Sequence, residues 1–344
     1  MLTTSTLGRQ PEGAPQDASW QRELARAITE PSELLRLLGL DSGQASAITA
    51  AAGAFRLRVP RGFVRRMRRA DPNDPLLLQV LPGARELLEQ PGFLSDPLAE
   101  HAAVRAPGLL QKYHGRALLI TTGACAVHCR YCFRREFPYE TANGVGRRWQ
   151  QALETIRADP SIEEIILSGG DPLSLTDERL GALTDALRRM PQLRRLRIHT
   201  RTPIVLPERV DEGLAGWLNA LPWPTVIVLH CNHANEIDEP VRAAAARLRA
   251  AGATLLNQSV LLAGINDSLT ALEQLSEALW SARVLPYYLH LLDPVRGTAH
   301  FDVSELRARA LMAALAARLP GYLLPKLVRE TPGAPAKTVL SAAQ

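Results

Sequence analysis

Residues 123–133 read GACAVHCRYCF and bring Cys125, Cys129 and Cys132 together at the spacing C-x3-C-x2-C. Soft thiolate ligands favour an iron–sulfur cluster or zinc, and a structural zinc site normally takes four protein ligands. Three cysteines in one loop leave one iron of a four-iron cluster open for a further ligand. A zinc site completed by His128 or by a distant residue is the alternative.

The overall composition indicates a folded chain with no marked preference for nucleic acid or membranes. Its 344 residues are 46% hydrophobic and carry a formal charge of +5, and both signs are mixed along the helical stretches, so charge alone does not indicate nucleic-acid binding. We interpret the arginine-rich run from Arg61 to Arg69 as a solvated helix face, with a phosphate-binding patch as the other possibility. The first twenty residues lack the apolar core that is typical of a signal peptide, and no window reaches the roughly 18 apolar residues of a membrane span. With only Cys231 outside the cluster, we expect a cytoplasmic, reducing compartment.

Hydrophobic periodicity divides the chain into a helical beginning and an alternating remainder. Helical spacing runs from about Trp20 to Glu100, and after Pro107 short apolar runs alternate with helix-patterned segments. This alternation predicts parallel strands with right-handed crossovers, in an open doubly wound sheet or an incomplete barrel. We expect a helical extension over 1–106, the α/β core over 107–300, and a C-terminal helix with a closing loop over 301–344. The apolar runs are 117–121, 164–167, 193–199, 225–230, 254–260 and 285–291, and the helix-patterned segments include 149–157, 177–189, 241–251 and 269–282.

Several polar residues and glycines stand where the predicted strands end. In barrels of parallel strands the loops at the C-terminal ends of the strands build the site, and glycines let backbone groups approach a ligand closely. Taken singly, a glycine pair is often only a tight turn, and a lone polar side chain is more often a satisfied core residue. Together with the cysteine loop we expect them to contact a cofactor. They are Ser168, Gly169, Gly170 and Asp171 after the second strand, His230 at the end of the fourth, and Asn257 and Gln258 in the fifth.

Lysines are rare in this chain. Of 40 basic residues, only Lys112, Lys326 and Lys337 are lysines, and Lys337 follows a loop rich in Pro and Gly. A desolvated lysine can form a Schiff base with pyridoxal phosphate. An exposed lysine near a C-terminus is more often a solubilising charge, and both interpretations of Lys337 stay open on composition alone.

From about residue 116 to 300 the chain resembles the radical S-adenosylmethionine superfamily, because the cysteine spacing is that superfamily's signature. The resemblance implies the incomplete (βα)6 barrel rather than the open sheet. It also implies a [4Fe-4S] cluster on Cys125, Cys129 and Cys132, whose open iron binds S-adenosylmethionine for cleavage to a 5′-deoxyadenosyl radical. Contacts to S-adenosylmethionine are then expected from Ser168, Gly169, Gly170, Asp171, His230 and Gln258.

Over about residues 71–338 the chain is similar to the lysine 2,3-aminomutase family. The resemblance implies that Lys337 binds pyridoxal 5′-phosphate, and that Lys112, Tyr113 and Arg116 contact its phosphate, as suits basic and hydroxyl donors. The segments that carry it are 71–75, 96–100, the cysteine loop with Phe133, Arg134 and Arg135, the Ser168 turn, Asn257 with Gln258, Asp293 and the Lys337 loop.

The same resemblance implies a substrate, L-lysine. Arg134 would pair with the substrate carboxylate, and Asp293 and Glu330 with its far ammonium, although Asp293 before Pro294 is also a reasonable turn cap. Glu330 departs from the aspartate that family members acting on free lysine usually carry. The short chain and the lack of a cysteine after Cys231 resemble a branch that converts (S)-α-lysine to (R)-β-lysine, which a lysyl-transferring ligase attaches to elongation factor P.

Two other functions remain open at this stage. An aminomutase could serve free lysine metabolism or act on another amino acid such as glutamate, which would need a cation near Asp293 and Glu330. The chain could also be a non-catalytic metal-binding scaffold protein, but this function would not explain Lys337 or the iron left without a protein ligand.

Overall fold

Ten strands form one mixed sheet in the computed structural model, which describes residues 19–41, 45–139 and 147–341. In chain order the strands are β1 (Val104–Ala106), β2 (Leu109–Tyr113), β3 (Arg116–Thr122), β4 (Glu164–Gly169), β5 (Arg195–Thr200), β6 (Thr225–His230), β7 (Thr254–Val260), β8 (Leu285–His290), β9 (Lys326–Arg329) and β10 (Thr338–Val339). Neighbours from β3 to β9 are parallel, whereas β1, β2 and β10 pair antiparallel at the two ends of the sheet. The six expected apolar runs correspond to β3 through β8.

Among the described residues, four α-helices precede the first strand and the later α-helices lie in the crossovers between the parallel strands. In chain order the helices are α1 (Ser19–Ala25), α2 (Pro31–Leu38), α3 (Ala45–Ala54), α4 (Arg61–Val64), α5 (Arg147–Ala158), α6 (Asp177–Arg188), α7 (Thr202–Val205), α8 (Glu212–Asn219), α9 (Glu239–Ala250), α10 (Leu269–Ser281) and α11 (Glu305–Ala316). Side chains at the helix starts accept backbone N–H groups and so stabilise α8 to α11; they are Asp211, Asp238, Ser268 and Ser304.

The spatial order of the strands follows the chain from β1 to β10 without a reversal. A doubly wound sheet reverses its strand order at a switch point, so the singly wound order confirms the incomplete barrel. The sheet is not closed: β1 forms one end and β10 the other.

The two faces of the sheet differ in chemistry. Residues such as Leu167, Ile198 and Leu229 belong to the main apolar core that the crossover helices share. Because successive side chains of a strand point to opposite faces, the residues that follow them, Ser168, His199 and His230, lie on the inner face. That face is therefore partly polar, as a ligand-binding barrel interior requires.

The N-terminal extension contains less helix than expected. After α4 the chain runs mainly through turns and short 3-10 segments to β1, where Asp74 accepts the N–H groups of Leu76 and Leu77, each at 2.9 Å. Its apolar side chains form a core with Ala126 and Val127 of the cysteine loop. The first eighteen residues lie outside the described part of the chain.

The C-terminal tail adds two strands where the sequence predicted a closing loop. Leu327 and Val328 are buried, and β9 extends the parallel sheet beside β8. β10 then returns antiparallel to β9. The segment that carries Lys337 is consequently a connection anchored at both ends. Residues 342–344 of this tail are not described.

Candidate active site

Ion pairs from the N-terminal extension hold the cysteine loop. Arg130 is fully buried, and its Nε and Nη2 donate to the two carboxylate oxygens of Glu86 at 2.8 and 2.5 Å. Arg135 donates to the same carboxylate at 2.8 Å, and the N–H of His128 donates to the Arg58 carbonyl at 2.9 Å. The extension therefore positions the loop that contains Cys129.

The three cysteines of the loop are free thiols and partly exposed. Burial, together with Cys129, raises the pKa of Cys132 to about 11, and burial with the nearby Asp171 raises that of Cys125 well above its ordinary value. Three thiolates on one loop need a strong compensating cation, which the irons of a cluster supply, so the donor set fits a [4Fe-4S] group.

Nothing in the described residues completes a zinc site around these thiols. The Nδ1 of His128 lies 2.9 Å from the Arg56 carbonyl, and its ring packs beside Phe55. In the ranges that the structure describes, no three His, Cys, Asp or Glu side chains are grouped so that they could hold a single metal ion. In a four-iron cluster, by contrast, each cysteine binds a separate iron.

The Ser168 turn packs directly against the cysteine loop. A Cβ on Gly170 would lie 2.4 Å from the Ala124 carbonyl oxygen, and one on Gly169, whose φ is +125°, would lie 2.6 Å from that of Thr122. Glycine is required at both positions because the two backbones touch. The glycine pair therefore fixes this turn against the cysteine loop.

Asp171, which the sequence analysis expects to contact S-adenosylmethionine, is held by a set of hydrogen bonds within the protein. Its buried carboxylate accepts the Thr200 hydroxyl at 2.7 Å and the N–H groups of Leu173, Arg201 and Thr202 at 2.7 to 3.0 Å. These four donors occupy the carboxylate and join β4 to the loop after β5. Asp171 is thus engaged by donors of the protein itself and helps to organise the site.

Three histidines line the inner face at the ends of the strands. The Nε2 atoms of His199, His230 and His290 are buried and have no hydrogen-bond partner within the described part of the chain. Burial lowers the pKa of His230 and of His290 to about 3, so the imidazoles are neutral. Of these three histidines, only His230 was predicted from the sequence to lie at the site. Alternation along β5 and β8, with a histidine on the inner face of each strand, is the signal that could have found the other two.

The two polar residues of β7 lie on opposite faces. Gln258 is half-buried on the inner face, as expected for a ligand contact. The amide of Asn257 instead accepts the Cys231 N–H and donates to the Cys231 carbonyl, both at 3.0 Å. Asn257 is therefore occupied by the backbone, and the expected cofactor contact is not supported for it.

An unbroken series of charged contacts connects the cysteine loop with Lys337. Arg134 forms a two-point pair with Glu100 at 2.8 Å for each bond. Lys112 lies 3.2 Å from Glu100 and 3.6 Å from Glu330, and Glu330 contacts the ammonium of Lys337. Although burial opposes ionisation, Arg134 and Lys112 hold the pKa of Glu100 at about 2. Glu100, which sequence reasoning did not single out, is the central anion of this series.

These contacts also cross the gap between the two ends of the open sheet. Tyr113 on β2 donates to Glu330, just after β9, at 2.6 Å, and Lys112 on β2 contacts the same carboxylate. The guanidinium of Arg116 lies 4.7 Å from the centre of the Tyr113 ring. The residues expected around the phosphate and Lys337 are therefore assembled from the two ends of the sheet.

The carboxylate of Asp293 also lies in this region and is available to a ligand. No hydrogen bond or ion pair engages its side chain within the described residues, and the turn-cap role is not observed. Burial raises its pKa to about 7, with Lys337 and Glu330 among the nearby charges. An added ammonium would favour the ionised form of Asp293.

Comparison with known proteins identifies the family. A model described as the Radical SAM superfamily matches residues 119–270. Over 327 residues the chain is 50% identical to the L-lysine 2,3-aminomutase of Escherichia coli strain K12, with 95% of each chain covered. The chain belongs to the L-lysine 2,3-aminomutase family.

Other aminomutases show similar matches. The chain is 44% identical to the L-lysine 2,3-aminomutase of Haemophilus influenzae, covering 94% of this chain and 96% of that one. It is 33% identical to the enzyme of the same name from Clostridium subterminale, covering 93% of this chain and 77% of the relative. The aminomutase family consists of isomerases, and as radical SAM enzymes its members use a [4Fe-4S] cluster and S-adenosylmethionine. In the described ranges no helix has the length and apolarity needed to cross a bilayer.

Proposed function

We propose that this chain converts (S)-α-lysine to (R)-β-lysine in the cytoplasm, with the cluster on Cys125, Cys129 and Cys132 and pyridoxal phosphate on Lys337. The observation that carries the proposal is the series of contacts from Arg134 through Glu100, Lys112 and Glu330 to Lys337. This series links Arg134, which follows the cysteine loop, to Lys337, although the two residues are distant in sequence.

Lys337 is suited to bind pyridoxal phosphate and Lys326 is not. The side chain of Lys337 is 24% exposed, lies 6.0 Å from the centre of the Tyr288 ring and contacts Glu330. Lys326 is exposed at the start of β9. Arg116 forms no ion pair with any described residue, so its charge is available to a phosphate, whereas Lys112 already has two carboxylate neighbours.

The acidic residues support a substrate with a cationic end. Asp293 has an open carboxylate, and Glu330 can exchange its contact with Lys337 for a substrate ammonium. Glutamate would bring a second carboxylate to these two anions. Lys112 lies near Glu330, but its ammonium is shared with Glu100, so the arrangement favours lysine.

One N–H donor of Arg134 forms only long hydrogen bonds and can bind a substrate carboxylate. Its Nε and Nη2 donate to Glu100, but among the described residues Nη1 donates only to the Ser168 hydroxyl at 3.2 Å and the Gly169 carbonyl at 3.5 Å. A carboxylate would form a stronger bond with this N–H than either neutral acceptor does.

When bound, the cluster with S-adenosylmethionine supplies a radical that abstracts hydrogen, and pyridoxal phosphate carries the migrating amine. The protein's own task is to orient the substrate between Arg134 and Asp293 and to exclude water. The neutral imidazoles of His199, His230 and His290 and the amide of Gln258 offer hydrogen-bonding groups on the inner face without adding charge, and we propose that His230 and Gln258 contact S-adenosylmethionine with Ser168, Gly169 and Gly170.

The test is anaerobic incubation of reconstituted protein with (S)-α-lysine, S-adenosylmethionine, pyridoxal phosphate and dithionite, followed by chiral separation of lysine isomers. We expect (R)-β-lysine from the wild-type protein and from Lys326→Ala, and none from Lys337→Ala. Equal loss in both lysine variants would contradict the role of Lys337. Formation of 5′-deoxyadenosine without β-lysine would exclude lysine as the substrate. Parallel reactions with glutamate test whether that amino acid is the substrate instead.

We further propose that the β-lysine is destined for elongation factor P. Support comes from Glu330, which departs from the aspartate that family members acting on free lysine usually carry. Adding elongation factor P and its lysyl-transferring ligase to the reaction should give a modified factor containing the (R)-β-isomer. A ligase that preferred unconverted α-lysine under these conditions would argue for a role in free lysine metabolism.

A further inference from the structure

Arg201 brings a buried positive charge to one of the cluster cysteines. It follows β5, and its side chain is 5% exposed. Its Nη1 donates to the Cys129 sulfur at 2.9 Å and also contacts the Tyr131 hydroxyl, and its Nη2 donates to Gln79 at 2.7 Å and to Glu236 at 3.0 Å. A guanidinium remains charged at any physiological pH. The contact therefore joins a permanent cation to a thiol that the proposed function assigns to the cluster.

The surroundings fix Arg201 in this orientation. Glu236 is fully buried and also accepts the N–H groups of Asn232 and His233, at 2.9 and 3.0 Å. Gln79 of the N-terminal extension accepts from Arg201 and from the Asn232 amide. The guanidinium cannot turn away from Cys129 without breaking these bonds.

We propose that Arg201 is a positioning residue that raises the reduction potential of the cluster bound by Cys129. This inference rests on the proposed cluster ligation. Reduction by dithionite adds one electron, and hence one negative charge, to the cluster. A cation that donates an N–H to a ligand sulfur stabilises this more negative state over the oxidised one. No proton moves at Arg201, because its guanidinium is already charged.

Glu236 has the opposite effect in this arrangement. Its carboxylate lies 3.0 Å from Arg201 and offsets part of the positive charge that reaches the cysteine. Replacing it by glutamine keeps a side chain of the same shape but removes the negative charge. We therefore expect replacement of Arg201 and replacement of Glu236 to shift the reduction potential of the cluster in opposite directions.

The experiment is an anaerobic redox titration of the reconstituted holoenzyme, followed by electron paramagnetic resonance of the reduced cluster. We expect a lower midpoint potential for Arg201→Gln, a smaller decrease for Arg201→Lys, and a higher potential for Glu236→Gln. Arg209→Lys is the matched control, since Arg209 is also fully buried but pairs with Asp177, and its potential should equal that of the wild type.

Iron content and circular dichroism establish that each variant is folded and loaded. A fully loaded Arg201→Gln with the wild-type potential would overturn the proposal. If that variant fails to fold, unchanged potentials in Arg201→Lys and Glu236→Gln would overturn it equally. Absence of a cluster signal in the wild-type protein would instead contradict the proposed ligation itself, so the two failures are distinguishable.

Discussion

The carboxylate of Glu330 contacts the ammonium of Lys337 and accepts the hydroxyl of Tyr113 at 2.6 Å. Although burial opposes ionisation, Lys337 holds the pKa of Glu330 below its ordinary value. This single carboxylate therefore connects the two ends of the sheet and faces the proposed position of the substrate ammonium.

Glu330→Gln should weaken lysine binding. Loss of a charged hydrogen bond costs about 1.5–3 kcal/mol, so the KM for lysine should rise about 10- to 100-fold. Glu330→Asp keeps the charge and is the matched control, with a smaller rise. Initial rates of β-lysine formation over a range of lysine concentrations measure both. Similar KM values for the glutamine variant and the wild type would contradict the assignment of Glu330 to the ammonium.

Lysine binding should depend on pH through Asp293. Its pKa of about 7 means that the carboxylate becomes neutral as the pH falls below about 7, and a neutral acid no longer attracts an ammonium. The KM for lysine should therefore rise between pH 8 and pH 6 in the wild type, a range that brackets this pKa. Asp293→Asn should have a high KM that changes little over the same range. A wild-type KM independent of pH would argue against Asp293.

Glu100→Gln should destabilise the protein. Breaking a buried ion pair by removing one partner costs about 3–5 kcal/mol, and Glu100 is 3% exposed between Arg134 and Lys112. Because its folded pKa of about 2 lies below the ordinary 4.5, its contribution is present above pH 4.5 and is lost as the pH falls towards 2. Urea unfolding at neutral and acidic pH measures the difference.

The matched control for Glu100 is Glu163→Gln. Glu163 pairs with Arg194 and Arg195 at the surface, where its side chain is 37% exposed. Exposed pairs contribute about 0–1 kcal/mol, so this variant should unfold nearly like the wild type. Equal free energies of unfolding for both variants would show that the buried pair does not stabilise the fold.

Gly170→Ala should prevent assembly of the cluster. The new Cβ would meet the Ala124 carbonyl oxygen at 2.4 Å, so the cysteine loop must move. Iron and acid-labile sulfide per chain should fall well below the wild-type values after reconstitution. Gly181→Ala in α6 is the control, because no atom lies within 4 Å of its added Cβ, and alanine favours a helix by about 1 kcal/mol. Normal iron content in Gly170→Ala would contradict the close packing.

Local patterns in the sequence determined the repeating part of the fold. The six apolar runs correspond to β3–β8. A parallel strand covered by helices needs several apolar residues within a few positions, and this pattern is visible in the local sequence. The tail was not predicted in the same way: β9 and β10 have four and two residues, too few for a periodic pattern. Pairing with β8 and with each other stabilises them, and that pairing is a long-range interaction.

The sequence by itself determined which chemical groups are present: three cysteines on one loop, few lysines, and polar residues at strand ends. Only the tertiary structure decided their partners. Tyr113 and Glu330 are 217 residues apart, and Arg201 and Cys129 are 72 apart, so no local spacing indicates either contact. The same holds for Asp171 and Asn257, which are engaged by neighbouring loops. Burial makes these pairings specific, because a charged or polar group removed from water must find a partner, and the folded barrel decides which partner is within reach.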